Sequence, residues 1–221
     1  MIGDIFPHSN HWCHAVAENW PDQVNFKMMK QEYTEEKTFD KNDFTQNPLI
    51  KGEYENCTFR SCDFSNSDLS DIVFMDCMFE NCNLSMVTLT KTALREVRFI
   101  DCKMLGLHFA NCNEIGLSVY FERCNLNHSS FYKTKLKKTT FKNTKLNEVD
   151  FSASDLTGSL FDNCDLTRAT FENTIVEKAD FRTAFNYSID PEKNRIKKAR
   201  FTLGGIPGLL DKYDIEIDFK N

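Results

Sequence analysis

Residues Phe121–Phe181 read FERCN LNHSS FYKTK LKKTT FKNTK LNEVD FSASD LTGSL FDNCD LTRAT FENTI VEKAD F. A Phe, Leu or Val begins every group of five without a miss. Neither a helix of 3.6 residues per turn nor a strand with a period of two keeps such a set on one face. The period itself must therefore be the structural unit, as it is in chains that coil upon themselves.

A second position in each group of five also has a restricted composition. We call the apolar residue the centre, i; the residue at i−2 is usually small or slim. This holds for Cys124, Ser129, Thr134, Thr139, Thr144, Ser154, Ser159, Cys164, Ala169, Thr174 and Ala179. We predict that i and i−2 face the inside, that i−1, i+1 and i+2 face outward, and that the chain turns a corner every five residues.

The same rule holds upstream in a different phase. From Phe39 the centres are Phe44, Leu49, Tyr54, Phe59, Phe64, Leu69, Phe74, Phe79, Leu84, Leu89, Leu94, Phe99, Met104 and Phe109. Two extra residues within NCNEIGLSVY, at 111–120, must bulge from a corner or loop out of a wall. Gly116 offers the permissive backbone for this. The insertion is either a functional loop or a register shift healed by a bulge.

The order of the centres indicates how many repeats make one coil. From Phe121 to Phe171 they alternate Phe with Leu, so like residues recur every ten. Four repeats per coil would stack Phe121, Phe141, Phe161, Phe181 and Phe201 in one column, and Leu126, Leu146 and Leu166 in another. Phe39, Phe59, Phe79 and Phe99 would do the same. We therefore predict about 20 residues per coil.

These features resemble the pentapeptide-repeat family, whose consensus is A-(D/N)-L-X-X. The resemblance implies an all-β fold, a right-handed quadrilateral parallel β-helix. Further strings resemble its albicidin-resistance members and, more distantly, its quinolone-resistance members. They are EVRFIDCKMLG (96–106), FERCNLN (121–127), DLTGSLF (155–161) and the end from FNYSID to DIEID (185–218).

This closer resemblance covers about residues 40–218 and carries implications for function. The similar proteins are dimers, joined through their C-terminal elements, that bind DNA gyrase and protect it from poisons with a rod thought to imitate duplex DNA. The resemblance thus implies a non-enzymatic, cytoplasmic, antibiotic-resistance type of binding protein that acts on gyrase or a related type II topoisomerase. The alternative is a repeat scaffold for an unrelated protein partner.

Three segments follow from the pattern. Residues 1–37 are a non-repeat leader or N-terminal cap, 38–201 are the repeat with its break at 110–120, and 202–221 are a cap and dimerisation element. In the last, Pro207 begins a predicted short helix to about Lys212, and residues 215–219 alternate like a strand. The dimerisation candidates are Leu203, Leu209, Leu210, Ile215, Ile217 and Phe219.

The sequence predicts no catalytic, cofactor or metal site. Eight of the nine cysteines fall at i−2, where we expect small buried hydrophobes rather than disulfides or ligands. The cluster HWCH at 11–14 has too few ligands, and too little spacing between them, to be a good metal site. No apolar run approaches the ~20 residues of a membrane span, and the N-terminus lacks a signal-peptide pattern.

Charge is distributed unevenly along the chain. A net charge of −6 gives only about one negative charge per coil, whereas duplex DNA would need about three. The stretch from Asp40 to Glu80, however, contains nine acidic residues and only three basic ones. We predict partner contacts at Asp63, Asp68, Asp71, Asp76 and Glu80, or else a solvated face. The lysine run 133–145 is a solvated face or a surface for DNA or an acidic patch; we expect neither direct nucleic-acid nor membrane binding.

Overall fold

The computed structural model describes residues 32–218; the HWCH cluster and Phe219 lie outside this range. These residues form a β-solenoid of about seven turns, with about 20 residues per turn. The strands are β1 (Glu32–Glu35), β2 (Thr38–Asp40), β3 (Gly52–Glu55), β4 (Thr58–Arg60), β5 (Val73–Met75), β6 (Met78–Glu80), β7 (Ala93–Arg95), β8 (Val97–Ile100), β9 (Val119–Glu122), β10 (Thr140–Lys142) and β11 (Leu160–Asp162). The predicted all-β fold and its period are confirmed.

The coil has four walls, which we number by the centres of one turn. Wall 1 carries Tyr54 and contains the parallel sheet β1-β3-β5-β7. Wall 2 carries Phe59 and contains β2-β4-β6-β8-β9-β10-β11. Wall 3 carries Phe64 and wall 4 carries Leu69. Within each of these two walls, successive coils are joined by isolated parallel bridges. The solenoid begins before the boundary expected at residue 38, because β1 pairs in register with β3.

The corners explain the outward positions. At nearly every repeat the residue at i+2 has a positive φ, for example Asn56 at 51° and Lys138 at 59°. The residue at i−1 is often Asp or Asn, whose side chain accepts the backbone N–H two residues on. Asp63 Oδ1 accepts from Ser65 N at 2.8 Å. Such an Asx turn closes the corner locally, so Asp at i−1 has a structural role in its own right.

The interior is filled as predicted, with both i and i−2 buried. Nine Phe rings form one stacked column on wall 2, with centroids 4.6 to 5.5 Å apart. Its members are Phe39, Phe59, Phe79, Phe99, Phe121, Phe141, Phe161, Phe181 and Phe201. The two Phe columns expected from the sequence, one before the break and one after it, are therefore a single continuous column.

Side chains at i−2 are small because they also reach a backbone carbonyl of the preceding coil. Cys77 Sγ donates to the Tyr54 carbonyl at 3.2 Å, and Thr92 Oγ1 donates to that of Leu69 at 2.8 Å. In residues 32–218 all eight cysteines are free thiols. No group of three or more His, Cys, Asp or Glu in this range could hold a metal ion.

The phase break lies on wall 1, within residues 113–118. On wall 2 the ladder simply continues, with Phe99 opposite Phe121. Ile115 stands out from the wall and is 72% exposed. Gly116 has φ +74°, which confirms the predicted role of its backbone. The two extra residues are thus absorbed by a turn that leaves the core column intact.

Gly116→Ala should lower the free energy of unfolding by about 1 to 2 kcal/mol, because an L residue is disfavoured at this φ. A Cβ there would meet only ordinary contacts with Arg95, at 3.5 Å or more, so the backbone is the source of the cost. Gly204→Ala is the matched control, since nothing lies within 4 Å of its added Cβ. Urea titrations of both variants measure the difference, and equal effects would contradict the assignment.

A short C-terminal element follows the last coil. It comprises 3-10 turns at Leu203–Gly205 and Asp211–Tyr213 around α1 (Pro207–Leu210). The predicted helix is confirmed in this shorter form. The predicted strand is wrong over residues 214–218: none of them belongs to a strand, because no β-bridge joins them to another segment of the described chain. Within residues 32–218 no helix has the length and apolarity to cross a membrane.

Candidate functional site

Residues 20 apart in sequence lie side by side on a wall, about 4.8 Å apart. Charges at the outward positions of one wall therefore add along the rod. At the outward positions of wall 1 (i−1, i+1 and i+2), the four coils before the break carry six carboxylates and one cation, Arg95; Glu32, at i−2 in the first strand, is a further exposed acid. We call the six outward carboxylates the acidic face: Glu35, Glu36, Glu53, Glu55, Asp76 and Glu96.

The acidic face is unpaired. Its carboxylates are exposed or half-buried, and none forms an ion pair with any residue between 32 and 218. Tyr33 donates a hydrogen bond to Glu55 at 2.7 Å. That bond, with the nearby charge of Glu35, raises the pKa of Tyr33 to about 12. The face thus presents net charge −5 to solvent.

The five acids predicted from the sequence do not come together on one surface. Asp63 lies on wall 3 and Asp68 on wall 4; both close Asx turns. The hydrogen bonds from Ser70 hold the pKa of Asp68 below its usual range. Asp71 lies at the next corner, and Lys51 approaches it at 3.8 Å.

The other two predicted acids also lie on different walls. Glu80 lies on wall 2 and pairs with Arg60 at 2.9 Å. Asp76 alone belongs to the acidic face. Sequence reasoning passed over Glu53, Glu55 and Glu96 and assigned Glu35 and Glu36 to the leader. The signal that would have found them is an acid at an outward position, i−1, i+1 or i+2, of centres spaced 20 residues apart.

The lysine run is divided in the same manner. Lys133, Lys142 and Lys145 lie at wall 4, wall 2 and wall 3, while Lys135, Lys137 and Lys138 share wall 1. Wall 1 carries more cations further along the chain. We call these cations, together with the three lysines already on wall 1, the basic face: Lys135, Lys137, Lys138, Lys178, Arg195, Lys197 and Lys198. Asp155 and Glu177 are the only acids among its outward positions, so its net charge is +5.

The C-terminal element carries the apolar residues predicted for dimerisation. Leu203 is 82% exposed, and Ile215 and Ile217 are also exposed. Leu209 and Leu210 are half-buried. Gly205 and Gly208 pack closely on Tyr187, and the Ile189 N–H donates to the Gly208 carbonyl at 2.8 Å. The element therefore covers the last coil while leaving its own apolar side chains open.

A family model described as a pentapeptide repeat region matches residues 52–114 and 117–184. The chain belongs to the pentapeptide-repeat family. The two residues between the matched segments are Ile115 and Gly116, the site of the phase break. A comparison with curated proteins finds no match.

Two solved structures share the fold of this chain. Two trypsin-treated forms of QnrB1, a plasmid-mediated fluoroquinolone resistance protein, superpose with TM-scores of 0.56 at 18% identity. They cover 85% of this chain and 98% and 99% of theirs. HetL, involved in heterocyst differentiation regulation in the cyanobacterium Nostoc, gives a TM-score of 0.44 at 16% identity, over 76% of this chain and 84% of its own.

Proposed function

We propose that this pentapeptide-repeat protein is a non-enzymatic, cytoplasmic binding protein whose acidic face enters a basic DNA-binding groove of a protein partner. The partner we propose is DNA gyrase or a related type II topoisomerase, which it protects from inhibitors. The observation that carries the proposal is the unpaired acidic face on wall 1. The shared fold with QnrB1, a fluoroquinolone resistance protein, supports the choice of partner.

The charge density of this face agrees with the proposal. Four coils rise by about 19 Å, over which duplex DNA carries about 11 charges, with about half on any one side. The acidic face offers net −5 on one side of the rod. Partial mimicry by one wall therefore replaces the whole-length mimicry that the net charge argues against.

The interior supports a binding rather than a catalytic role. The axis of the solenoid is occupied by stacked Phe rings and buried Leu side chains. A reaction centre needs a concave site with converging polar groups. The chemistry of this rod is therefore on its outer walls.

Direct binding tests the proposal. Purified gyrase should associate with the protein at low ionic strength, and the association rate should fall steeply as salt rises, because charge complementarity mainly accelerates encounter. At physiological salt, screening acts over about 8 Å. Binding kinetics of gyrase on the surface-immobilised protein, recorded at two salt concentrations, measure this association rate. Absence of gyrase binding at low salt would instead favour a scaffold for another partner.

We also propose that the C-terminal element joins two chains. Its exposed Leu203, Ile215 and Ile217 would be buried by a two-fold contact, the commonest arrangement in soluble oligomers. Truncation after Thr202 should convert a dimer to a monomer in light scattering. Leu203→Asp in the intact chain should do the same without removing the cap. A monomer mass for the unaltered protein would refute the C-terminal contact.

A further inference from the structure

We propose that a second copy of this chain docks antiparallel on wall 1, with the acidic face of each copy against the basic face of the other. The inference rests on the charge pattern of this wall and is independent of any topoisomerase. Wall 1 changes sign at its midpoint, from −5 before the break to +5 after it. A two-fold axis through the break brings opposite charges together twice.

Many of the cations are available for such a contact. Lys135 pairs with Glu114 at 3.1 Å, and Lys137 with Asp155 at 3.2 Å. In the described part of the chain, the basic face also contains exposed cations that have no carboxylate within ion-pair distance. They are Lys138, Lys178, Lys197 and Lys198.

The levels of the wall correspond under this symmetry. Wall 1 has four levels before the break, at residues 34, 54, 74 and 94, and four after it, at residues 136, 156, 176 and 196, so the level next to the break on one side meets the level next to it on the other. The levels of Glu96, Glu53 and Glu35 then meet those of Lys138, Lys178 and Lys198, and Glu96 and Lys138 share the same i+2 position on their levels. The level of Asp76 meets that of Asp155, whose charge is already offset by Lys137 within its own chain.

The break itself supplies the contact on the axis. In an isologous interface a residue at the two-fold axis meets its own copy. Ile115 occupies that point and is the most exposed large apolar side chain on wall 1 in the described range, at 72%. An apolar contact at the centre with charged pairs around it is the usual anatomy of a protein interface.

The size of the wall predicts a weak, salt-sensitive contact. Eight intervals of about 4.8 Å and five residues of about 3.3 Å give a face of roughly 600 Å² per copy. About 1,200 Å² in total lies at the lower limit of specific interfaces. Self-association should therefore depend on concentration, and it would cover the acidic face and compete with any partner that uses it.

A charge-swap experiment in the full chain tests the inference. One variant combines Lys138→Glu, Lys178→Glu and Lys198→Glu; the other combines Glu35→Lys, Glu53→Lys and Glu96→Lys. These positions lie on the levels that meet across the proposed interface. Sedimentation velocity at low salt should show that neither variant self-associates as the unaltered protein does, while their equimolar mixture regains association. High salt should abolish association in every case.

A matched control removes the same number of positive charges from other walls. Lys103→Glu, Lys133→Glu and Lys145→Glu lie on walls 3 and 4, and this triple variant should retain association. A C-terminal dimer would double the starting mass of every sample without responding to these charges. Unchanged association in the Lys138, Lys178 and Lys198 variant, no recovery on mixing, or no concentration dependence in the unaltered protein would each overturn the inference. Melting curves of all variants establish that they are folded.

Discussion

Phe141→Ala is expected to lower the free energy of unfolding by about 3 to 5 kcal/mol, as large-to-small changes in packed cores do. The Phe141 side chain is fully buried and lies between Phe121 and Phe161, with ring centroids 5.2 and 5.0 Å away. In a solenoid each coil contacts only its neighbours, so the cavity cannot be filled from elsewhere. Urea titration followed by circular dichroism measures the change.

Lys145→Ala is the control for this prediction. Its side chain is exposed on wall 3 and makes no ion pair with the described residues. The expected change is within about 0.5 kcal/mol, as for ordinary surface positions. Comparable losses at Phe141 and Lys145 would show that the inward and outward positions are wrongly assigned.

Neutralising the acidic face should reduce the rate of association with gyrase by at least about tenfold, because a focused field accelerates encounter by that order or more. The variant combines Glu53→Gln, Glu55→Gln, Asp76→Asn and Glu96→Gln. Each replacement keeps its shape and its acceptor oxygen, so Tyr33 retains a partner at position 55. The slope of the association rate against salt should also become shallower. Kinetic binding at two ionic strengths measures both quantities.

The matched control removes four acids from other walls. Asp40→Asn, Asp63→Asn, Asp68→Asn and Glu80→Gln give the same net charge, and Asn preserves the Asx turns of Asp63 and Asp68. This variant should bind gyrase within about twofold of the unaltered protein, since net charge alone gives little local field. Equal losses in both variants would mean that overall charge, rather than wall 1, drives binding.

The fold was predictable because every repeat encodes the same two inward positions. Phe121 to Phe181 fixed the period of five, and the alternation of Phe with Leu gave the coil of 20 residues. The sequence analysis placed the break within residues 110–120 and named Gly116 as its permissive backbone; in the structure Gly116 has a positive φ. The continuity of the Phe column through Phe99 and Phe121 was not predicted, because sequence spacing does not show whether extra residues leave from a wall or displace the core.

The candidate site was less predictable because acids adjacent in sequence point to different walls. Asp63, Asp68 and Asp71 are close along the chain, yet they occupy wall 3, wall 4 and a corner. Lateral neighbours come from residues 20 apart, such as Glu35 and Glu55. The missing terminal strand has a related cause: alternation at Ile215 and Ile217 describes a strand only where another strand is present to pair with it.

A gyrase supercoiling assay in the presence of a quinolone or albicidin tests most directly whether the acidic face protects a topoisomerase. The unaltered protein should restore supercoiling in the presence of at least one inhibitor. The variant neutralised at Glu53, Glu55, Asp76 and Glu96 should not, while the matched control should protect as the unaltered protein does. No protection from either inhibitor, with the protein in excess over gyrase, would contradict the proposed function.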